Sequence, residues 1–156
     1  MANNTIRQNI IGYLYDLLKA TADPVTGLAL FNNVLKENLD DIDATQLPAV
    51  GMEEGEEEVI GEMYPCITKR LSIAVDFKFE NKRGVDVYDE FNYYLGVLQN
   101  TLFVDRTMGS NGYDIQERGN APQIMDRNDK RPGGVMYLEV YYKHRTADPY
   151  NIINQA

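Results

Sequence analysis

The chain has 156 residues, 44% hydrophobic and 25% charged, with a formal net charge of −9. This fits one globular domain in the usual range of about 100–200 residues and excludes wholesale disorder. A lone Cys66 and a lone His144 exclude an internal disulfide framework, a multi-cysteine zinc site and paired-histidine metal chemistry.

The opening Met-Ala-Asn-Asn-Thr has no basic stretch leading into an apolar one, so no secretory leader is expected. Thr5 with Gln8 fits a capping box. Ile6, Ile10, Leu14, Leu17 and Leu18 then recur at helical spacing, which predicts a helix over 5–21 that stops at Asp23-Pro24. Leu28 to Lys36 reads as a first strand, and its Leu28–Phe31 is the longest apolar run, far short of the roughly 18 residues of a membrane span. Asn38 to Gln46 is polar with room for one helical turn. Leu47 to Val50 begins a second short strand, whose Pro48 needs an edge or strand-start position.

Charge is concentrated next. Residues 37–62 hold ten Asp and Glu and no Lys or Arg, so one segment carries the whole imbalance. Such acidity opposes generic nucleic-acid affinity and an anionic membrane surface. With Gly51, Gly55 and Gly61 inside it, the stretch 53–62 reads as a loose, solvated loop.

Leu71, Ile73, Val75, Phe77 and Phe79 alternate with polar residues, the period of a strand with one buried face. After the turn 81–84, Val87, Phe91, Leu95, Leu98 and Leu102 predict a second helix over 86–103, with Asp86, Asp89 and Glu90 at its positive end. Tyr113 to Arg118 reads as a fourth strand, followed by a polar stretch from Asn120 to Lys130. Arg131-Pro132-Gly133-Gly134 reads as a turn into a last strand, Val135 to Lys143. On that strand Met136, Leu138, Val140 and Tyr142 face one way, and Tyr137, Glu139, Tyr141 and Lys143 the other. The order predicts an α+β fold: a two-layer sandwich of a mostly antiparallel β-sheet with two main helices on one face. Residues 1–145 form a single domain and 146–156 a C-terminal extension.

Catalytic signals are weak. His144 sits between Lys143 and Arg145 with no GxSxG elbow, and Cys66 at a strand start reads as a small buried side chain. No Walker or GxGxxG pattern occurs, and Asp40, Asp41 and Asp43 lack EF-hand spacing. Asp76-Phe77-Lys78 places a carboxylate and an ammonium on one strand face, as in metal-dependent nucleases of the PD-(D/E)xK type. The upstream acid of that pattern is missing, because residues 63–75 contain no Asp or Glu. No enzyme activity, cofactor or metal is therefore expected. Eleven tyrosines with no tryptophan are the remaining oddity. Tyr94 and Tyr142 read as core. Tyr93, Tyr137 and Tyr141 point away from it, and with Arg70, Asp76, Lys78 and Glu139 they read as a solvent face or a subunit interface.

The initial helix, Leu47-Pro-Ala-Val50 leading to an acidic stretch, Arg70-Leu-Ser-Ile-Ala-Val75, the helix at 86–103 and the closing strand Val135–Lys143 resemble the tail terminator (tail completion) proteins of tailed bacteriophages over about residues 5–145. The acidic run 53–62 and the extension past the last strand depart from that pattern. The resemblance implies a structural virion protein, assembled in the host bacterial cytoplasm, that forms a homo-oligomeric ring, expected as a hexamer. The ring caps the head-proximal end of the tail tube, stops its polymerisation and meets the head-neck connector, with a lumen for DNA passage. Implied partners are a second copy, the tube protein, the connector and, for a contractile tail, the sheath, with no specific nucleic-acid binding and no membrane. On that reading Glu53, Glu54, Glu56, Glu57 and Glu58 line the lumen or its rim. Arg70, Asp76, Lys78, Tyr137, Tyr141, Arg127, Lys130 and Arg131 are the expected subunit or tube contacts. The alternatives are another ring-forming neck protein and a binding module with no phage role.

Overall fold

The structure is a computed structural model and describes residues 4–152. Helix α1 spans Ile6–Ala20, and Thr5 caps it as the sequence predicts. The Thr5 hydroxyl accepts the Gln8 N–H at 3.1 Å, and the Gln8 carboxamide accepts the Thr5 N–H at 2.8 Å. Strand β1 covers Asn33–Leu35, and a 3₁₀ turn follows at Ala44–Gln46. Strand β2 runs Ala49–Met63, β3 Cys66–Lys78, α2 Val87–Leu102, β4 Asp114–Gln123 and β5 Gly133–Arg145. One five-stranded sheet has the order β1-β2-β3-β5-β4, antiparallel except for β1 against β2. The chain is thus an α+β fold, and α1 and α2 share one core against one sheet face. No helix among the described residues is long and apolar enough to cross a membrane.

That core follows the predicted periods. Ile6, Ile10, Leu14 and Leu18 of α1 are buried with Val87, Phe91, Leu95, Leu98 and Leu102 of α2, while Leu17 is only partly so. Beneath them lie Leu71, Ile73, Val75 and Phe77 of β3 and Met136, Leu138, Val140 and Tyr142 of β5. Phe77 stacks on Phe91 at 5.7 Å, and Phe79 on Tyr94 at 5.0 Å. A second, smaller cluster of Leu39, Ile42, Leu47 and Ala49 closes the segment after β1.

Several expectations need correction. The acidic stretch 53–62 is not a loop: it is the outer two thirds of β2, laddered to β3 as far as Met63 opposite Cys66, with bulges between Glu54 and Glu57 and between Val59 and Gly61. The short strand placed at 47–50 is the start of this long one, and Pro48 lies just outside it. The strand expected over 28–36 is paired only at 33–35, because Leu30 and Phe31 instead enter the core and Ala29 makes a single bridge to Ala22. The fourth strand continues to Gln123, its Pro122 tolerated because β4 is an edge.

Gly133 and Gly134 are strand residues rather than turn residues, opposite Lys78 and Phe77. A Cβ at Gly133 would lie 1.9 Å from the Phe77 carbonyl oxygen, and one at Gly134 2.3 Å from the Phe91 ring. Only glycine lets β5 approach β3 and α2 this closely. Gly133→Ala is expected to unfold the protein about 3 kcal/mol more easily, the upper range for overpacking, because its clash is with backbone. Urea titration checks this, and Gly119→Ala, where a Cβ meets nothing within 4 Å, serves as control.

The extension after β5 is tied back. The Thr146 N–H donates to the Pro65 carbonyl at 2.8 Å, the Ile6 N–H donates to the Pro149 carbonyl at 2.9 Å, and Ile152 packs on the main core. Residues 153–156 of that expected extension lie outside the described part.

Candidate functional site

The sheet face turned away from the helices carries five of the expected contact residues. Strand alternation puts Arg70, Asp76 and Lys78 of β3 on it, and the register sets Arg70 opposite Tyr141 and Ala74 opposite Tyr137 of β5. The strand period alone therefore predicted this grouping. Two of its features depend on residues that sequence patterning does not single out.

The first is Arg118. It donates through Nε to Glu139 at 2.7 Å and through Nη2 to the Tyr141 hydroxyl at 2.6 Å, while that hydroxyl donates to Glu139 at 2.7 Å. Arg70 lies 3.8 Å from the same carboxylate and pairs with Glu58. Burial pushes Glu139 up, but Tyr141, Arg118 and Arg70 outweigh it and hold the carboxyl below the usual range. With the Tyr113 ring 5.9 Å away, this network covers Tyr141, which is only 7% exposed. Tyr141 points away from the core as expected, yet it is not a free surface aromatic. Tyr137 is, at 49% exposure. Tyr93 is half-buried, and its hydroxyl donates to Asp23 at 2.7 Å. Burial and that bond push the Tyr93 hydroxyl up to about 12.

The second is a shallow depression of about 340 Å³ beside Tyr137, floored by Gly55, Ser72 and Ala74 and rimmed by Glu53, Arg118 and Glu139. Small residues on two neighbouring strands make room there for an inserted group. No spacing rule in one strand reveals a floor assembled from two.

Asp76 lies toward the far end of this face, half-buried near the segment after β1. Burial lifts its carboxyl above the usual range, opposed by a backbone hydrogen bond from Leu39 and by Lys78, and reinforced by Asp40 and Glu53. No group of three or more His, Cys, Asp or Glu among the described residues is arranged to hold a metal ion. His144 is buried, its Nδ1 2.7 Å from the Arg145 carbonyl, and its Nε2 has no partner among the described residues. Cys66 is a half-buried free thiol at the start of β3.

The five glutamates of the acidic run do not form one surface. Glu53 stands opposite Ala74 and Glu58 opposite Arg70, on the uncovered face. Glu54 and Glu57 lie toward the helices, where Arg7 of α1 reaches them at 2.8 and 3.3 Å. Glu57 also meets Lys69 at 3.4 Å and accepts the Tyr142 hydroxyl at 2.5 Å. Glu56 falls in the bulge and is exposed.

The basic turn is elsewhere again, at the β4–β5 connection. Arg127 pairs with Asp86 at the start of α2 and lies over the Tyr88 ring at 5.3 Å. Arg131 donates to the Ile42 carbonyl at 2.7 Å, and Lys130 is exposed. The structure thus separates Arg127 and Lys130 from the tyrosine-bearing face, while Arg131 lines a depression shared with Lys78. No protein-family model matches the chain, and no curated protein matches it.

Proposed function

We propose that this chain is a ring-forming structural protein of a phage tail, a tail terminator that caps the head-proximal end of the tube and joins it to the neck. The observation that carries the reading is the uncovered sheet face. A two-layer domain that packs helices on one side, and on the other presents Tyr137 beside a small-residue depression, offers a surface suited to a protein neighbour. The resemblance of the element order to tail terminators supports the phage assignment. The excess acid suits a conduit, because a wall that does not replace counterions does not hold DNA.

The test is native mass by light scattering, with negative-stain images of the same fraction, in solution and on tail tubes of the same phage. Closed rings near six times the 17.8 kDa chain that cap the tubes are the expected result. Rings that bind the portal side and leave tubes uncapped would point to a different neck protein, and a chain that stays monomeric on tubes would end the reading. Tyr137→Ala is expected to weaken subunit association by ~30-fold, the loss of one aromatic anchor of about 2 kcal/mol, with the unfolding midpoint unchanged.

A further inference from the structure

The sheet face turned away from the helices is not bare along its whole length. Near Asp76 it is roofed by the connection between β1 and β2. A Cβ on Gly51 would lie 2.2 Å from the Glu37 carbonyl oxygen and 3.1 Å from the Leu39 side chain, so this backbone rests directly on β2. Leu39 and Ile42 are buried there with Leu47 and Ala49. Arg131 donates to the Ile42 carbonyl at 2.7 Å, and the Asp76 carboxylate accepts the Leu39 N–H. The far end of the connection is fastened beside β1, where the Asn33 carboxamide donates to the Gln46 carbonyl at 2.7 Å and that of Asn32 to the Leu47 carbonyl at 3.0 Å.

Charge works against this roof. Residues 37–43 carry Glu37, Asp40, Asp41 and Asp43 and no Lys or Arg. Among the described residues, none of Glu37, Asp40 and Asp41 has a cation within 4 Å. Beneath them Asp76 is half-buried. Asp40 acts on it from the roof, Glu53 from β2 and Lys78 from its own strand, while β5 sets the uncharged Val135 opposite it. Asp129 and Arg131 line the hollow at the adjoining edge, together with Asp40 and Lys78. Burial, Asp40 and Glu53 lift the Asp76 carboxyl above its ordinary 3.8, and the Leu39 N–H and Lys78 oppose them without cancelling them.

We infer that residues 37–43 are a lid on this end of the open sheet face, clamped when Asp76 is protonated and loosened when it is ionised. An ionised Asp76 keeps its bond to Leu39 but holds a half-buried negative charge near Asp40 and Glu53. A neutral Asp76 still accepts from Leu39 through its carbonyl oxygen and removes that repulsion. The closed lid thus binds the proton more tightly than the open one. Closure is strongest below 3.8 and weakens as the pH rises through the raised value. This is the reverse of Glu139, whose carboxyl is lowered by its partners. Lifting the lid uncovers Gly51 and lengthens the face that bears the Tyr137 depression, whether or not the chain forms rings.

Amide hydrogen exchange on the full chain tests this. Leu39 to Asp43 report the lid, and Leu71 to Val75 of β3 report global opening. For the wild type at low salt, corrected for intrinsic exchange, lid opening is expected to rise about threefold between pH 4 and pH 7. Added salt is expected to reverse the rise by screening Asp40 and Glu53. Asp76→Asn is expected to slow lid exchange at pH 7 by about the same factor and to make it flat with pH. Asp40→Asn with Glu53→Gln, both exposed positions, is expected to slow it in the wild-type background but not beside Asp76→Asn. Wild-type lid exchange that ignores pH would overturn the lid, as would faster lid exchange in Asp76→Asn with β3 still protected. Should Asp76→Asn lose its β3 protection, the exposed pair decides, and no slowing there would overturn it equally.

Discussion

Phe77→Ala is expected to lower the midpoint of thermal unfolding by about 10 °C. Phe77 is fully buried in the middle of the shared core, with Phe91 stacked 5.7 Å away and Tyr94 at 6.4 Å. Truncating such a ring removes its transfer energy and leaves a cavity, at a cost of about 4 kcal/mol. The site cannot collapse easily, because the residue opposite Phe77 is Gly134, which has no side chain to move inward, and Phe91 is already seated over that glycine. A domain of this size loses roughly 2–4 °C per kcal/mol. Phe77→Leu, which keeps most of the volume, is expected to cost less than about 1.5 kcal/mol. Calorimetry on the pair checks both, and a shift below about 3 °C for the alanine variant would mean that the two helices do not bear on this strand.

The second large effect comes from Glu57. Its carboxylate accepts the hydroxyl of Tyr142, itself 3% exposed, and sits between Arg7 and Lys69. Glu57→Ala leaves that buried hydroxyl without an acceptor and is expected to cost about 2 kcal/mol. The pH dependence has a definite sign. Burial pushes Glu57 up, but Tyr142, Lys69 and Arg7 outweigh it, so its folded pKa lies below the ordinary 4.5. Its contribution is therefore complete above that value and is lost as the pH falls through the folded pKa. Glu139 and Asp114 are lowered too and add to the same acid limb. Tyr142 has the opposite displacement: burial and the bond to Glu57 raise it from 10.0. Its contribution is complete below 10.0 and is lost as the pH rises through the folded pKa. One hydrogen bond thus contributes to both limbs of the stability profile. Urea midpoints measured from pH 3 to pH 11 are expected to show Glu57→Gln flattening the acid limb and Tyr142→Phe the alkaline one. Parallel profiles for wild type and variants would refute the linkage.

The elements legible in the chain are those whose burial repeats along one segment. The capping pair Thr5 and Gln8, the stripe from Ile6 to Leu18, the stripe from Val87 to Leu102 and the alternation from Leu71 to Phe77 each carry their own record of a single buried face. Those records suffice for two helices on one side of a mostly antiparallel sheet, and for a second face bearing Arg70, Tyr137 and Tyr141. A period reports which side of an element is covered. It is silent on what a distant segment brings.

That silence explains each correction. The run from Glu53 to Glu62 has the charge and glycine content of a loop, yet it is held as a strand by its ladder to β3 and by Arg7, 47 residues before Glu54. Gly133-Gly134 has the composition of a turn, and only the nearness of Phe77 and Phe91 shows that two strands and a helix need the space. Tyr141 is buried by Arg118 from the neighbouring strand. Which charges are neutralised within the protein, and which remain at Glu56, Glu62, Lys82 and Lys130, is likewise decided by folding. The residue order by itself determined that the molecule is acidic and where along the chain the acid lies. The tertiary structure decided which of those charges are paired within the chain, because pairing depends on distances that only the assembled sheet creates.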